Sequence, residues 1–290
     1  MLPDSLRDTL EDRLDITIDG VASVGGGCIA HASRLETEGA PYFLKYGDET
    51  VARTFPAEAA GLEALGEAGA SLEVPSVIDT APPDGDRPGF LVLEWINSGR
   101  KGRRFWEQFG SGLAELHRYA ADEYGFERNN FIGRTPQRNE WMDNWPAFFR
   151  TQRLEPQVAL ARDEGHWRPA WNDPLEALYR RLPDLLPGAP EASVLHGDLW
   201  NGNFMVTAVG EPALIDPATY YGHREADLAM TELFGGFQDR FYEAYRDAWN
   251  VEPDYDTRRD IYNLYHLINH LNLFGSGYAG RVEQVLRPFG

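Results

Sequence analysis

The segment VLHGDLWNGN (194–203) gathers side chains suited to moving a phosphoryl group. An apolar run leads into His196-Gly197-Asp198, and Asn203 follows five residues after Asp198. Thirteen residues beyond Asn203, a second apolar run ends in Asp216-Pro217. This is the spacing of a phosphotransferase loop: one Asp orients an acceptor hydroxyl and takes its proton, while an Asn and a second Asp hold the Mg²⁺ ions that bridge the ATP phosphates. Asp198 is therefore the candidate base, and Asn203 and Asp216 are the candidate metal ligands. Upstream, Lys45 is placed to pair the α/β-phosphates and Glu58 to hold it by an ion pair, with Glu63 and Glu67 as alternatives on the same helix. Gly25-Gly26-Gly27-Cys28-Ile29 is a candidate phosphate-covering loop built of backbone N–H groups. Leu93-Glu94-Trp95-Ile96 is the candidate adenine hinge.

The elements that must position these residues divide into two groups. Short β-branched or aromatic runs predict strands over 16–24, 29–35, 41–46, 74–79 and 90–96, with one helix over 56–69. Pro56 suits that helix's first turn and Gly69 its end. After Asn97 the pattern turns helical, over 105–119, 145–160, 174–182, 224–234, 237–249 and 258–273, with short strands at 194–195, 203–207 and 213–215. The expectation is an α/β (α+β) chain of two lobes. Residues 1–96 form a small, mainly antiparallel, nucleotide-binding lobe with one helix. Residues 97–290 form a larger, mainly helical lobe holding the catalytic loop and the metal and acceptor sites.

Composition narrows the class. The 290 residues carry a net charge of −19, of which −12 falls in the first 96. Such a chain repels phosphate backbones and anionic lipid, so neither nucleic acid nor membrane is an expected partner. The longest apolar runs fall far short of the roughly 20 residues that span a bilayer. No apolar signal core opens the chain, and a cytoplasmic location is expected. Lys45 and Lys101 are the only lysines, and an acidic, lysine-poor composition suits solubility in high salt. Cys28, the single cysteine, permits no internal disulfide; in an exposed glycine loop it is a candidate for oxidation or for a redox-dependent dimer.

The architecture resembles the protein-kinase-like fold, with IDP (215–217) where protein kinases carry DFG and no activation-loop signature after it. From about Ser23 to Phe274 the chain resembles one family in particular, the fructosamine kinases or ketosamine-3-kinases. The carrying segments are GGGCI (25–29), FLK (43–45), GFERNNFIGRTPQRNEWMDNWPAFF (125–149), LHGDLWNGN (195–203), IDPATYYGHREADLAM (215–230), FGGF (234–237) and INHLNLFG (268–275). The HGD–Asn pattern is shared with choline and aminoglycoside kinases, whereas Trp200 and the TPQxNxW block are more specific. The resemblance implies ATP- and Mg²⁺-dependent phosphorylation of the 3-hydroxyl of a ketosamine, either a small molecule or a glycated protein lysine. The 3-phosphate then eliminates and frees the amine, which initiates deglycation repair. It also implies Asp198 as base, Asn203 and Asp216 as metal ligands, Lys45 on phosphate and Glu94 to Ile96 on adenine. Trp200 is a candidate aromatic wall for the sugar, with Asn269, His270 and His223 as further substrate-binding candidates. Trp141 and Trp145 fit either core or pocket, and Asp227 is expected to brace the catalytic loop from a helix N-terminus. The rival expectations are a kinase of an aminoglycoside or choline-like acceptor and a catalytically silent nucleotide-binding module.

Overall fold

The computed structural model describes residues 2–25 and 30–290. It opens with a helix not expected from the sequence, α1 (Asp4–Leu14). Leu2, Leu6, Leu10 and Leu14 recur every four residues, a stripe one side chain wide among acidic neighbours. Leu6 and Leu10 are fully buried against Ile18, Leu35, Leu44, Phe90 and Val92. The helix thus covers the outer face of a sheet built from β1 (Ile18–Ser23), β2 (His31–Thr37), β3 (Tyr42–Gly47), β4 (Val77–Ala81) and β5 (Gly89–Glu94). The strand order is β1-β2-β3-β5-β4, antiparallel throughout. Between β3 and β4 lie a single turn, α2 (Glu49–Ala52), and α3 (Phe55–Glu67). With α1, residues 1–96 thus hold three helices where one was expected.

Strand alternation sorts the side chains of β3. Leu44 faces α1, while Phe43 and Lys45 face the opposite side and line the cleft below. The same alternation sends Phe90 and Val92 of β5 to α1 and Leu91 and Leu93 to α3, where they pack on Phe55, Ala59 and Leu62.

The rest of the chain is mainly helical: α4 (Phe105–Leu116), α5 (Trp145–Phe148), α6 (Glu155–Asp163), α7 (Asn172–Leu185), α8 (Glu225–Leu233), α9 (Asp239–Ala248), α10 (Tyr255–Phe274) and α11 (Ala279–Leu286). The expected helix over 145–160 is interrupted: Phe149–Leu154 forms wider turns before α6 begins. Pro156, lacking an N–H, cannot return the regular bond to the carbonyl of Gln152. The 20-residue α10 is buried on nearly every side, with Ile261, Leu264, Ile268 and Leu271 in the largest apolar cluster. Gly110 lets α4 and α9 touch, because a Cβ there would run into the Phe241 carbonyl.

Short strands fill the joints: β6 (Ala120–Ala121), β7 (Asn130–Ile132), β8 (Thr135–Gln137), β9 (Ala192–Leu195), β10 (Phe204–Val206), β11 (Pro212–Leu214) and β12 (Tyr220–His223). They pair as β12-β9-β6, β10-β11 and β7-β8. The sequence pattern missed β6, the β7-β8 hairpin, β12 and α11, all of them short. No helix among the described residues is long and apolar enough to cross a membrane.

Candidate active site

A cleft of about 760 Å³ opens between the inner face of the sheet and the helical part. Val24, Ala30, Ala32, Phe43 and Leu93 make an apolar slot on the sheet side, with Glu94, Trp95 and Ile96 at its back and Met205 and Ile215 opposite. Gly25 also lines it. Gly26, Gly27, Cys28 and Ile29, expected to cover phosphates, lie outside the described residues, and so does the redox role assigned to Cys28.

The polar end of the cleft brings Lys45, Glu58, Asp198, Asn203 and Asp216 together. Lys45 Nζ donates to Glu58 Oε1 at 2.7 Å and also to Asp216 Oδ1. Of the three glutamates on α3, Glu58 is the one the structure pairs with Lys45. Burial opposes the Lys45 charge, but the two carboxylates prevail and hold its pKa above the ordinary lysine value.

The loop that presents Asp198 is held on all sides. Asp227, in the first turn of α8, accepts the backbone N–H groups of His196 at 2.7 Å and Gly197 at 2.9 Å. Burial works against the Asp227 charge, yet these donors and His117 hold it below the usual carboxylate range. Gly197 takes φ 82°, and a Cβ there would collide with the Ala218 carbonyl. His196 is fully buried; its Nε2 donates to Ile215 O at 2.9 Å and its Nδ1 accepts the Asp198 N–H. Burial lowers its pKa, so the ring is a neutral spacer between the two Asp-bearing loops. Asn203 Nδ2 donates to the Asp198 carbonyl at 2.8 Å and to Asp198 Oδ2 at 3.0 Å.

Asp198 is a strongly perturbed carboxyl. Burial, assisted by Asp216 and Asp227 and opposed by the Asn203 hydrogen bond, pushes its pKa up to about 7. Asp216 adopts φ 53°, a left-handed conformation that Asp tolerates better than most residues. The backbone just beyond it is clamped by the buried amides of Asn130 and of the TPQxN block. Asn130 Nδ2 donates to Thr219 O at 2.7 Å and Gln137 Nε2 to Ala218 O at 3.0 Å, while Asn139 Nδ2 and Gln137 both donate to Asn130 Oδ1.

The expected acceptor residues separate. Trp200 lines the cleft, 38% exposed, edge-on to Phe234. The other three do not line it. His223 is buried in the helical core, bonded to Tyr262 Oη at 2.7 Å and edge-on to Trp145. Asn269 is buried and accepts from Gln157 Nε2. His270 sits one ring behind the cleft, packed on Phe234 with centroids 4.6 Å apart and on Phe274 and Tyr278. Trp145 is core, and Trp141 packs at a tilt against Tyr221 at the surface. What α10 sends to the cleft instead is Asn272, Leu273 and Phe274, and Phe131, Gly133 and Arg134 of the β7-β8 hairpin join them. Phe274 is 67% exposed, an unusual position for a large apolar side chain, and this is the signal that marks it.

Among the described residues no cluster of three His, Cys, Asp or Glu could hold a metal alone. One amide and one carboxylate, Asn203 and Asp216, fit Mg²⁺, which prefers few protein oxygens and takes the remainder from phosphate and water. The Asn203 amide nitrogen is spent on Asp198, which leaves its carbonyl oxygen for an ion.

Fold and site together define an ATP-dependent phosphotransferase with a protein-kinase-like fold. A thermostable mutant of the aminoglycoside phosphotransferase APH(4)-Ia, solved in a ternary complex with ADP and hygromycin B, superposes with a TM-score of 0.63 over 98% of both chains at 12% identity, a likeness of fold. The crystal structure of the candidate fructosamine-3-kinase of Thermobifida fusca superposes with a TM-score of 0.87 over 99% of both chains at 30% identity. The fructosamine kinase family pattern matches residues 5–289. A Synechocystis protein named a probable ketoamine kinase is 43% identical over 91% of this chain and 88% of its own length. The chloroplastic protein-ribulosamine 3-kinase of Arabidopsis thaliana is 37% identical over 94% of this chain and 83% of its own length. The chain belongs to the fructosamine kinase family.

Proposed function

We propose that the chain transfers the γ-phosphoryl group of Mg²⁺-ATP to the 3-hydroxyl of a ketosamine, free or on a glycated lysine, and so initiates deglycation. The observation that carries this reading is the juxtaposition of Asp198, pushed toward neutral pKa, with Asn203, Asp216 and the Lys45–Glu58 pair, in a cleft whose mouth carries Trp200 and Phe274. Residues 1–96 form the nucleotide-binding part and 97–290 the part that carries base and acceptor. The adenine enters the apolar slot beside Glu94, Trp95 and Ile96, and Lys45 binds phosphate oxygens. Asn203 and Asp216 would hold the magnesium, whose charge offsets that of the phosphates.

Asp198 accepts the hydroxyl proton as the sugar oxygen forms its bond to the γ-phosphorus. The bond to the β,γ-bridging oxygen breaks, and ADP leaves. Asp227 and His196 fix the base in the line of attack, and positioning of this kind supplies most of such a rate enhancement. Trp200 and Phe274 offer aromatic faces to the C–H side of the sugar. The bacterial relatives agree with a cytoplasmic setting, and the charge of −19 with work at high salt.

The test is ADP release with a ribulosyl- or fructosyl-amine acceptor, in high and low KCl, beside Asp198→Asn. Hygromycin B and choline run in parallel. Ketosamine turnover lost in the variant establishes the reading. Turnover confined to hygromycin B or choline would replace the acceptor while keeping the site.

A further inference from the structure

The β7-β8 hairpin is a rigid arm with a cation at its tip. Ile132 pairs with Thr135, so Gly133 and Arg134 form a two-residue turn. Gly133 takes φ 59° and Arg134 does not share the positive φ, the pattern of a tight hairpin turn with Gly in first position. The base of the arm is fixed by the buried amides of Asn130 and Gln137, which grip the backbone at Ala218 and Thr219, two and three residues beyond Asp216. Tyr265 Oη donates to Gln137 Oε1 at 2.6 Å and ties the arm to α10 as well. At the tip, a Cβ on Gly133 would touch Leu273 Cδ1 at 3.4 Å, so Arg134 stands beside the end of α10 that presents Phe274.

Two cations line the cleft among the described residues, Lys45 and Arg134, against the carboxylates Glu58, Glu94, Asp198 and Asp216. Lys45 is committed to Glu58 and Asp216. Arg134 forms no salt bridge with any described residue, in a chain where acidic residues outnumber basic ones by 46 to 27. The Gly133–Leu273 contact groups it with Phe274 at the end of α10, on a lining that also includes Trp200.

We propose that Arg134 is a specificity residue that receives an anionic group carried by the acceptor, a carboxylate or a phosphate ester. This rests on the ketosamine reading above and narrows it. The sugar lies against Trp200 and Phe274 with its 3-hydroxyl at Asp198, and a negative substituent reaches the guanidinium fork. Two sources supply that chemistry: the α-carboxylate of a free amino-acid ketosamine, or a phosphate on the terminal carbon of the sugar. A guanidinium binds either through paired, charge-assisted hydrogen bonds.

Calorimetry on the enzyme with Mg²⁺-ADP, near 0.1 M ionic strength, reads the inference directly. The probes are ribulosyl-propylamine, ribulosyl-glycine and the 5-phosphate of ribulosyl-propylamine, with kcat/KM measured for each. At least one anionic probe is expected to bind about tenfold tighter than the neutral one, the scale of one hydrogen-bonded charge. Whichever arm shows the preference identifies the source. Arg134→Gln should bring the anionic-to-neutral ratio near one, and Arg134→Lys should restore part of it. Equal binding of all three probes by the wild type overturns the inference while neutral turnover upholds the ketosamine reading. An Arg134→Gln loss that is equal for every probe also overturns it, because the charge then serves the nucleotide or the transferred group. Failure to bind any probe removes both readings.

Discussion

Gly61 and Thr219 face each other where α3 meets the segment following Asp216: Thr219 Oγ1 donates to the Gly61 carbonyl at 3.3 Å, and a Cβ on Gly61 would stand 3.0 Å from Thr219 Oγ1. Glu58 lies one turn earlier on the same helix, and Asp216 lies three residues before Thr219. Both carboxylates hold Lys45, so this contact sets the distance between the two groups that position one ammonium.

Enlarging Gly61 should therefore harm both stability and nucleotide binding. Overpacking of a tight contact costs about 1–3 kcal/mol. Gly61→Leu is expected to lower the melting temperature by several degrees and to weaken Mg²⁺-ATP binding measured by calorimetry. Gly66 is the internal control, since it is exposed on the same helix and a Cβ there meets nothing within 4 Å. Gly66→Ala should stabilise the chain by up to about 1 kcal/mol through helix propensity alone, with nucleotide affinity unchanged. Equal behaviour of the two variants would mean that the α3 contact does not tune the site.

Asp198 gives a pH prediction with a definite sign. Its folded pKa of about 7 lies above the ordinary 3.8. Between those values the folded chain binds more protons than the unfolded one, so stability falls as pH rises through the window. Well below pH 3.8 the carboxyl is protonated in both states and contributes no slope. Asp198→Asn cannot ionise, so its melting temperature without nucleotide or metal should exceed that of the wild type by at least about 2 °C at pH 8. That advantage should shrink toward pH 4. The same variant should lose at least about 10²-fold in turnover, with ATP affinity largely kept. A melting-temperature difference that does not vary with pH would show that Asp198 ionises freely.

Asp227 should separate folding from chemistry. Its two oxygens take the backbone N–H groups of His196 and Gly197, and an amide at that position can accept only one of them. Asp227→Asn is expected to lower kcat by tenfold or more with little change in the KM for ATP, because the base is displaced while the apolar slot and Lys45 remain. A KM effect as large as the kcat effect would place Asp227 in nucleotide binding instead.

The chemistry was more legible in the sequence than the acceptor side. Asp198, Asn203 and Asp216 sit at strand ends with fixed spacing, and Lys45 stands out in a chain with two lysines, so residue type and position agree. Strand alternation then settles which way Lys45 points. Helix α10 offers no such guide: Ile261 to Leu271 is buried on almost every face, so no polar side marks its phase. His270 and Asn269 were therefore expected in a cleft that Asn272 and Phe274 line instead. Helix α1 was hidden for the opposite reason, since one leucine per turn among acidic residues is a narrow signal. The β7-β8 hairpin owes its place to buried amide bonds, which leave no apolar period to read.

Trp200 and Phe274 carry the last prediction. Both are large aromatic side chains, more than a third exposed, on the lining of one cleft and linked through Phe234 and His270. Exposure on that scale costs solvation free energy unless an acceptor covers the rings, and a sugar's C–H face does so without a charge. Trp200→Ala should raise the ketosamine KM about tenfold or more while basal ATP hydrolysis and the KM for ATP stay near the wild-type values. Phe274→Ala should act in the same direction and more weakly, because His270 and Tyr278 still back the site. Stability should change little in either variant, since neither ring is core. If Trp200→Ala instead lowers the melting temperature and ATP hydrolysis together, the ring is a brace for the catalytic loop and the aromatic wall must lie elsewhere.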